Sequence, residues 1–182
     1  AAFLNALHST PTALARAAGI HEFRMDEGRY EWLENGVNIV LKLRGLDPVL
    51  DGALDWLQTA PWTQHHYDGP FQLIHGGLES RHVLVDPSTG SLQGVIDWTD
   101  THLGDAARDF VFLVTWKGWQ FAEDVLQLYP RAIDREFRAR LRHIAQLLSL
   151  MDLAYPHDPY DQKPDLARYL RYVHNAFAGS GA

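Results

Sequence analysis

Between Phe71 and Asp97 the helical spacing of apolar residues that runs through much of this chain breaks down. Short apolar runs, Leu73-Ile74, Val83-Leu84-Val85 and Leu92 to Ile96, are set apart by glycines and by the turn sequence Asp86-Pro87-Ser88-Thr89-Gly90. Runs of that length around a Pro-Gly turn predict a small β-hairpin preceded by a loop. Helical periods surround it. Ala1 to Leu7 is apolar and helical in character; Ser9 or Thr10 then offers an N-cap, Pro11 a first helical position and Gly19 a stop. Asp47 and Pro48 start a helix with Val49, Leu50, Leu54 and Leu57 on one face. Ile133, Phe137, Leu141, Ile144, Leu148 and Met151 mark the longest helix, and Asp165 caps a last one carrying Leu166, Tyr169, Leu170, Val173 and Phe177. The fold class is therefore α+β and mostly helical, with polar loop chemistry concentrated at the hairpin.

With 182 residues, 46% of them hydrophobic, the chain can bury one substantial core, and we expect a single domain over residues 1–182. The net charge of -7 leaves no basic stripe to neutralise a phosphate backbone, which excludes nucleic acid as a partner. No cysteine is present, so disulfides, thiolate nucleophiles and cysteine metal sites drop out. No apolar run approaches the roughly 20 residues that span a bilayer, and no basic segment with an apolar signal core opens the chain. We expect no membrane association and a cytoplasmic location. Ala1 already reads as mid-helix, which suggests a polypeptide that begins upstream.

The candidate chemistry lies in His75-Gly76-Gly77-Leu78-Glu79-Ser80-Arg81-His82, in Gly94-Val95-Ile96-Asp97-Trp98, and in Gly104-Asp105-Ala106-Ala107-Arg108-Asp109-Phe110. These three stretches resemble the catalytic segment of aminoglycoside, choline and macrolide kinases, whose patterns are HGDxxxxN, then IDW or IDF after a hairpin, then GDPAxD. The macrolide phosphotransferase branch is most similar, because it often places histidine where the others have asparagine, as His82 does here. The resemblance is strong from Phe71 to Trp116 and looser elsewhere. It implies a protein-kinase-like C-terminal lobe whose hairpin carries the catalytic and metal loops. It also implies Mg²⁺ with ATP or GTP as cofactors, phosphate transfer to a hydroxyl of a cationic substrate such as an aminoglycoside or macrolide, and hence antibiotic resistance. An acidic protein would attract such amines.

Phosphoryl transfer places negative charge on three oxygens that a metal and positioned dipoles must offset. Asp97, at the end of an apolar strand, offers magnesium a hard oxygen at a fixed height, and it matches the family's metal-binding aspartate; the plainer alternative is a turn carboxylate. His82 matches the second metal-site and nucleotide-binding position. Imidazole is a poor magnesium ligand, so loop structure and phosphate contact stand level for it. His75 is expected to support the loop backbone. Gly77 occupies the position of the family's catalytic base and has nothing to accept a proton with; a missing base costs about 10² to 10⁴ in rate. Glu79, two residues on, is a candidate substitute.

The family's N-terminal lobe has no counterpart. None of Lys42, Lys117 and Lys163 follows a phosphate loop on a strand, and no GxGxxG occurs. Taken alone, the chain is expected to be inactive or very weak. The alternative is a degenerate, pseudokinase-like lobe that binds without catalysis, whose exposed cleft would favour self-association. Metal-dependent hydrolysis through His75, His82 and Asp97 is a third expectation. Asp105 and Asp109 read as structural groups at a helix start. The pair His65-His66 with Asp68, and the group His157, Asp158 and Asp161, read as surface loops without diagnostic zinc spacing. Trp32, Trp56, Trp62, Trp116 and Trp119 read as core or cleft-wall aromatics. Asp100, Asp105, Glu123 and Asp124 either line an acidic cleft or form a solvated face.

Overall fold

A computed structural model describes residues 1–24, 29–59, 67–153 and 165–179. Two short helices, α1 (Ala2–His8) and α2 (Thr12–Ala17), open the chain as expected, with Gly19 in a left-handed conformation after them. Pro11 sits one position earlier than its usual first-turn place and occupies the N-cap itself, and no side chain caps α2. Helices α3 (Arg29–Leu43) and α4 (Val49–Thr59) follow. The Asp47 carboxylate accepts from Val49 N at 3.0 Å and satisfies a free amide of the first turn of α4. Leu50, Ala53, Leu54 and Leu57 then bury one face of it.

Four short strands come next: β1 (Gln72–Ile74), β2 (Val83–Val85), β3 (Leu92–Val95) and β4 (His102–Gly104). The expected hairpin is β2 with β3, Val83 lying opposite Val95. The run Leu73-Ile74, which the sequence groups with it, belongs elsewhere. β1 pairs antiparallel with β4, Leu73 opposite Leu103. A three-residue strand carries no readable period, and what fixes this pairing is the burial of Ile74 and Leu103, both fully inaccessible. The other edge of β4 is held by residues 21–23, through Leu103 N to His21 O and Phe23 N to Leu103 O.

The remaining helices are α5 (Val111–Lys117), α6 (Trp119–Gln127), α7 (Phe137–Asp152) and α8 (Leu166–Phe177). α5 and α6 meet at Gly118, whose φ of 86° breaks the helix. α7 starts later than the apolar spacing suggests, because Asp134 folds the approach into a turn, accepting from Glu136 N at 2.9 Å and gripping Arg140. Ile133 therefore packs from outside the helix. Asp165 accepts from Arg168 N and caps α8.

α7 is the spine of two adjoining cores. Leu141, Ile144 and Ala145 pack with Phe110, Val114 and Leu126; Leu150 and Leu153 pack with Val40, Leu50, Leu57 and Val173. Each fully buried leucine, valine or isoleucine contributes about 1.5–3 kcal/mol. Trp56 packs edge-on against Phe177, and Trp119 donates to Ala176 O. The His65-His66 and His157-Asp158-Asp161 groups, Trp62 and the Trp32 side chain lie outside the described residues. No helix among the described residues is long and apolar enough to cross a membrane.

Candidate functional site

The loop leaving β1 is anchored from beneath by Asp109, which is fully buried in the 3₁₀ segment Ala106–Phe110. Its carboxylate accepts from His75 N and Gly76 N, both at 2.9 Å, and lies 3.0 Å from His8 Nε2 on α1. The His8 ring is held at its other nitrogen by the Tyr129 hydroxyl at 2.7 Å. Arg108 Nε donates to Gly76 O at 2.6 Å. Asp105 positions this segment by accepting from Ala107 N, and it pairs with the buried Arg140 at 2.6 Å. Arg140 also grips Asp134 at 2.7 Å, so α7 is tied to the segment that carries Asp109.

Gly76 has a φ of 80°, and a Cβ there would run into the backbone oxygen of Asp100. Both conformation and space demand glycine at this position. The His75 ring is buried, with Nε2 donating to Ile96 O at 3.0 Å, and its centroid lies 4.7 Å from that of Trp98. These contacts lock the loop to the strand end that precedes Asp97.

His82 closes the 3₁₀ turn Ser80–His82. Its Nδ1 donates to Gly77 O at 2.9 Å, which fixes the ring's orientation and turns Nε2 toward Asp97 Oδ2, 3.4 Å away. Its backbone oxygen accepts from Ile96 N. Asp97 is an exposed non-glycine residue in the left-handed region, φ 65°, a conformation that aspartate tolerates better than most. The Thr99 hydroxyl donates to its Oδ1 at 2.6 Å. That hydrogen bond, with the nearby His82, His75 and Arg81, holds the Asp97 carboxyl below the usual range, so it is a fixed anion at neutral pH.

These groups line one cavity of about 190 Å³, together with Gly77, Glu79, Asp100 and Asp152. Glu79 is engaged by Arg81 at 3.0 Å. Asp100 approaches Gly77 so closely that its Oδ2 lies 2.5 Å from where a Gly77 Cβ would be. Asp152, at the end of α7, has its carboxyl pushed up to about 7 by desolvation, with Glu79 adding to the rise and Arg108 and Arg81 opposing it. The sequence had offered one signal for Asp152, a carboxylate in the last turn of a helix, where the dipole disfavours it. Nothing in the sequence indicated that Asp100 reaches Gly77.

The residues present suit magnesium better than zinc. Magnesium takes one or two carboxylates and completes its shell with water and phosphate oxygens, and Asp97 supplies an ionised, accessible carboxylate. Among the described residues no group of three His, Asp or Glu side chains converges as a metal cage. His75 is buried with Nε2 on the Ile96 carbonyl and lines no part of the cavity, so only His82 and Asp97 of the hydrolytic set face it and the geometry does not support that alternative.

A model of the phosphotransferase enzyme family matches residues 1–151. The uncharacterized protein YcbJ of Bacillus subtilis (strain 168) is 30% identical over 152 residues, which cover 82% of this chain and 46% of that protein. The chain thus spans about half the length of this curated relative. Among solved structures, macrolide 2'-phosphotransferase type I superposes with a TM-score of 0.60 at 21% identity, over 95% of this chain and 54% of the other. The GDP and kanamycin complex of APH(2")-IIia gives 0.67 at 19% identity, over 97% and 59%. At such identities these likenesses speak for the fold.

Proposed function

The chain belongs to the phosphotransferase enzyme family, and from that premise we propose that it forms the C-terminal lobe of a small-molecule kinase. That kinase moves a phosphoryl group from a nucleoside triphosphate to a hydroxyl of a cationic acceptor. The observation that carries this reading is the convergence of the Gly76-Gly77 loop, His82 and the ionised Asp97 on one cavity.

Asp97 would hold Mg²⁺, which when bound offsets the charge on the transferring phosphate oxygens. His82 fixes that carboxylate's surroundings from Gly77 O and presents Nε2 toward the same space, within reach of a phosphate oxygen. Asp109 and His75 hold the loop backbone in register with Asp97, which is positioning rather than chemistry. Arg81 offsets Glu79 in this cavity, which Arg108 also lines, and leaves Asp97 and Asp100 as its open carboxylates, a pair that suits an amine-bearing acceptor such as an aminoglycoside or macrolide. The hairpin exposes Leu84, Val85, Leu92, Ile96 and Trp98 beside the site, apolar surface that supports treating residues 1–182 as one lobe of a larger nucleotide cleft.

Calorimetric titration with ATP and with GTP tests the reading. Saturable binding that requires Mg²⁺ and is lost in Asp97→Asn is expected, with the unfolding temperature unchanged because Asp97 is exposed. Binding that survives without Mg²⁺, or is equal in Asp97→Asn, would contradict the assignment of Asp97.

A further inference from the structure

The acceptor hydroxyl must lose its proton when it attacks phosphorus, and a carboxylate within hydrogen-bond reach is the usual recipient. Gly77 offers none. Yet the volume a side chain at Gly77 would enter is not empty: Asp100 Oδ2 lies 2.5 Å from the Cβ position, closer than Asp100 Cβ or Cγ, both 3.3 Å away. From ordinary C–C and C–O bond lengths, an aspartate's own carboxylate oxygens stand about 2.4 Å from its Cβ. The Asp100 oxygen therefore stands as far from that point as an oxygen of an aspartate at position 77 would. It arrives from the turn that follows β3.

Several features equip it for the role. Asp100 is exposed and lines the same cavity as Gly77, His82 and Asp97. Among the described residues its carboxylate has no hydrogen-bond or ion-pair partner, in contrast to Glu79, which Arg81 engages, and Asp97, which accepts from Thr99. Its backbone is fixed, because its carbonyl accepts from His102 Nδ1 at 2.6 Å and abuts Gly76. The turn bearing Asp100 also bears Asp97, so a metal bound at Asp97 and a base at Asp100 would keep a constant separation.

We infer that Asp100 is the catalytic base of this site, a carboxylate supplied in trans across the loop to the place that Gly77 leaves open. The inference rests on the phosphotransfer reading and changes one expectation drawn from it: Gly77 does not by itself silence the site. In the step, the acceptor O–H proton passes to the Asp100 carboxylate while the acceptor oxygen bonds to the γ-phosphorus. The bond from that phosphorus to the β,γ-bridging oxygen breaks, and the nucleoside diphosphate leaves. Asp100 then returns the proton to water.

The test uses the intact protein with MgATP or MgGTP, and kanamycin, spectinomycin and a macrolide as probe acceptors. Asp100→Asn keeps the shape and removes the base, so kcat is expected to fall by about 10² to 10⁴ with nucleotide affinity unchanged. The double variant Gly77→Asp with Asp100→Ala removes the side chain that fills this volume, lets a carboxylate enter it from position 77 and is expected to regain much of the lost rate. Gly77 is suited to this exchange because its φ is not in the left-handed region and the atom in its way is the end of a side chain. Transfer by the wild type that persists in Asp100→Asn would overturn the role of Asp100 and leave phosphotransfer standing. So would a loss that the double variant does not reverse. No transfer by the wild type to any acceptor would refute the phosphotransfer reading, and this inference with it.

Discussion

Replacing Asp109 by alanine should cost the fold more than its single carboxylate suggests. The side chain is fully buried and meets three groups: His75 N, Gly76 N and His8 Nε2. A histidine can adjust by moving its proton between ring nitrogens, but the two amides cannot. A buried donor left without a partner costs about 1–3 kcal/mol, so the two amides alone amount to about 2–6 kcal/mol. Domains are held by only about 5–15 kcal/mol in total. At roughly 2–4 °C per kcal/mol for a chain of this size, the unfolding temperature should fall by about 4–24 °C. Asparagine keeps one acceptor and turns an NH₂ group to the second amide, so Asp109→Asn should lie between wild type and alanine. Thermal and urea unfolding followed by circular dichroism measure the series. An alanine variant within about 0.5 kcal/mol of wild type, the range of ordinary surface substitutions, would refute the claim that Asp109 anchors the loop.

Two further outcomes follow from the same contacts. Arg140→Ala strands Asp105 and Asp134 and should destabilise by about 3 kcal/mol, the lower end for a broken buried pair because Asp134 is half exposed; urea unfolding checks it. Arg140→Lys should recover only part of this, since lysine lacks the fork that reaches both carboxylates. In the hairpin turn, Asp86 accepts from Ser88 N, the Ser88 hydroxyl and Thr89 N, which together lower its pKa from 3.8 to about 2. A depressed carboxyl stabilises the fold above its unfolded pKa and loses that contribution as pH falls through the folded value. The turn should therefore loosen between about pH 4 and pH 2. Amide exchange at Ser88 and Thr89 should rise across that window in wild type and show no such step in Asp86→Ala.

Much of this was legible in the sequence where one periodic signal acts over a long span. The stripe of Phe137, Leu141, Ile144 and Leu148 announced α7, and Asp47 and Asp165 announced helix starts because capping is local chemistry. The hairpin of β2 and β3 followed from its turn residues. The chain could not show that Leu73-Ile74 pairs with His102–Gly104, since three residues hold no period and the pairing is settled by burial across about 30 residues of intervening chain. The site divides in the same way. The motif spacing brought His75, Gly77, His82 and Asp97 to attention, and the structure places Gly77, His82 and Asp97 around one cavity with His75 buried behind the loop. Asp100 and Asp152 enter that cavity from a turn and a helix end whose approach is a matter of tertiary packing, so the local signals, an acidic cluster and a carboxylate in a last helical turn, could not say which groups they would meet. The tie from Asp109 back to His8 spans 101 residues and was equally invisible.

The most direct test of the central claim is mass spectrometry of kanamycin, spectinomycin and a macrolide after incubation with the intact protein, Mg²⁺ and ATP or GTP. The account predicts that at least one acceptor gains a single phosphate while the nucleotide is converted to its diphosphate in equal amount, and that Asp97→Asn abolishes both. Acceptors that remain unmodified while the protein binds MgATP or MgGTP would contradict phosphotransfer and leave a binding lobe in its place.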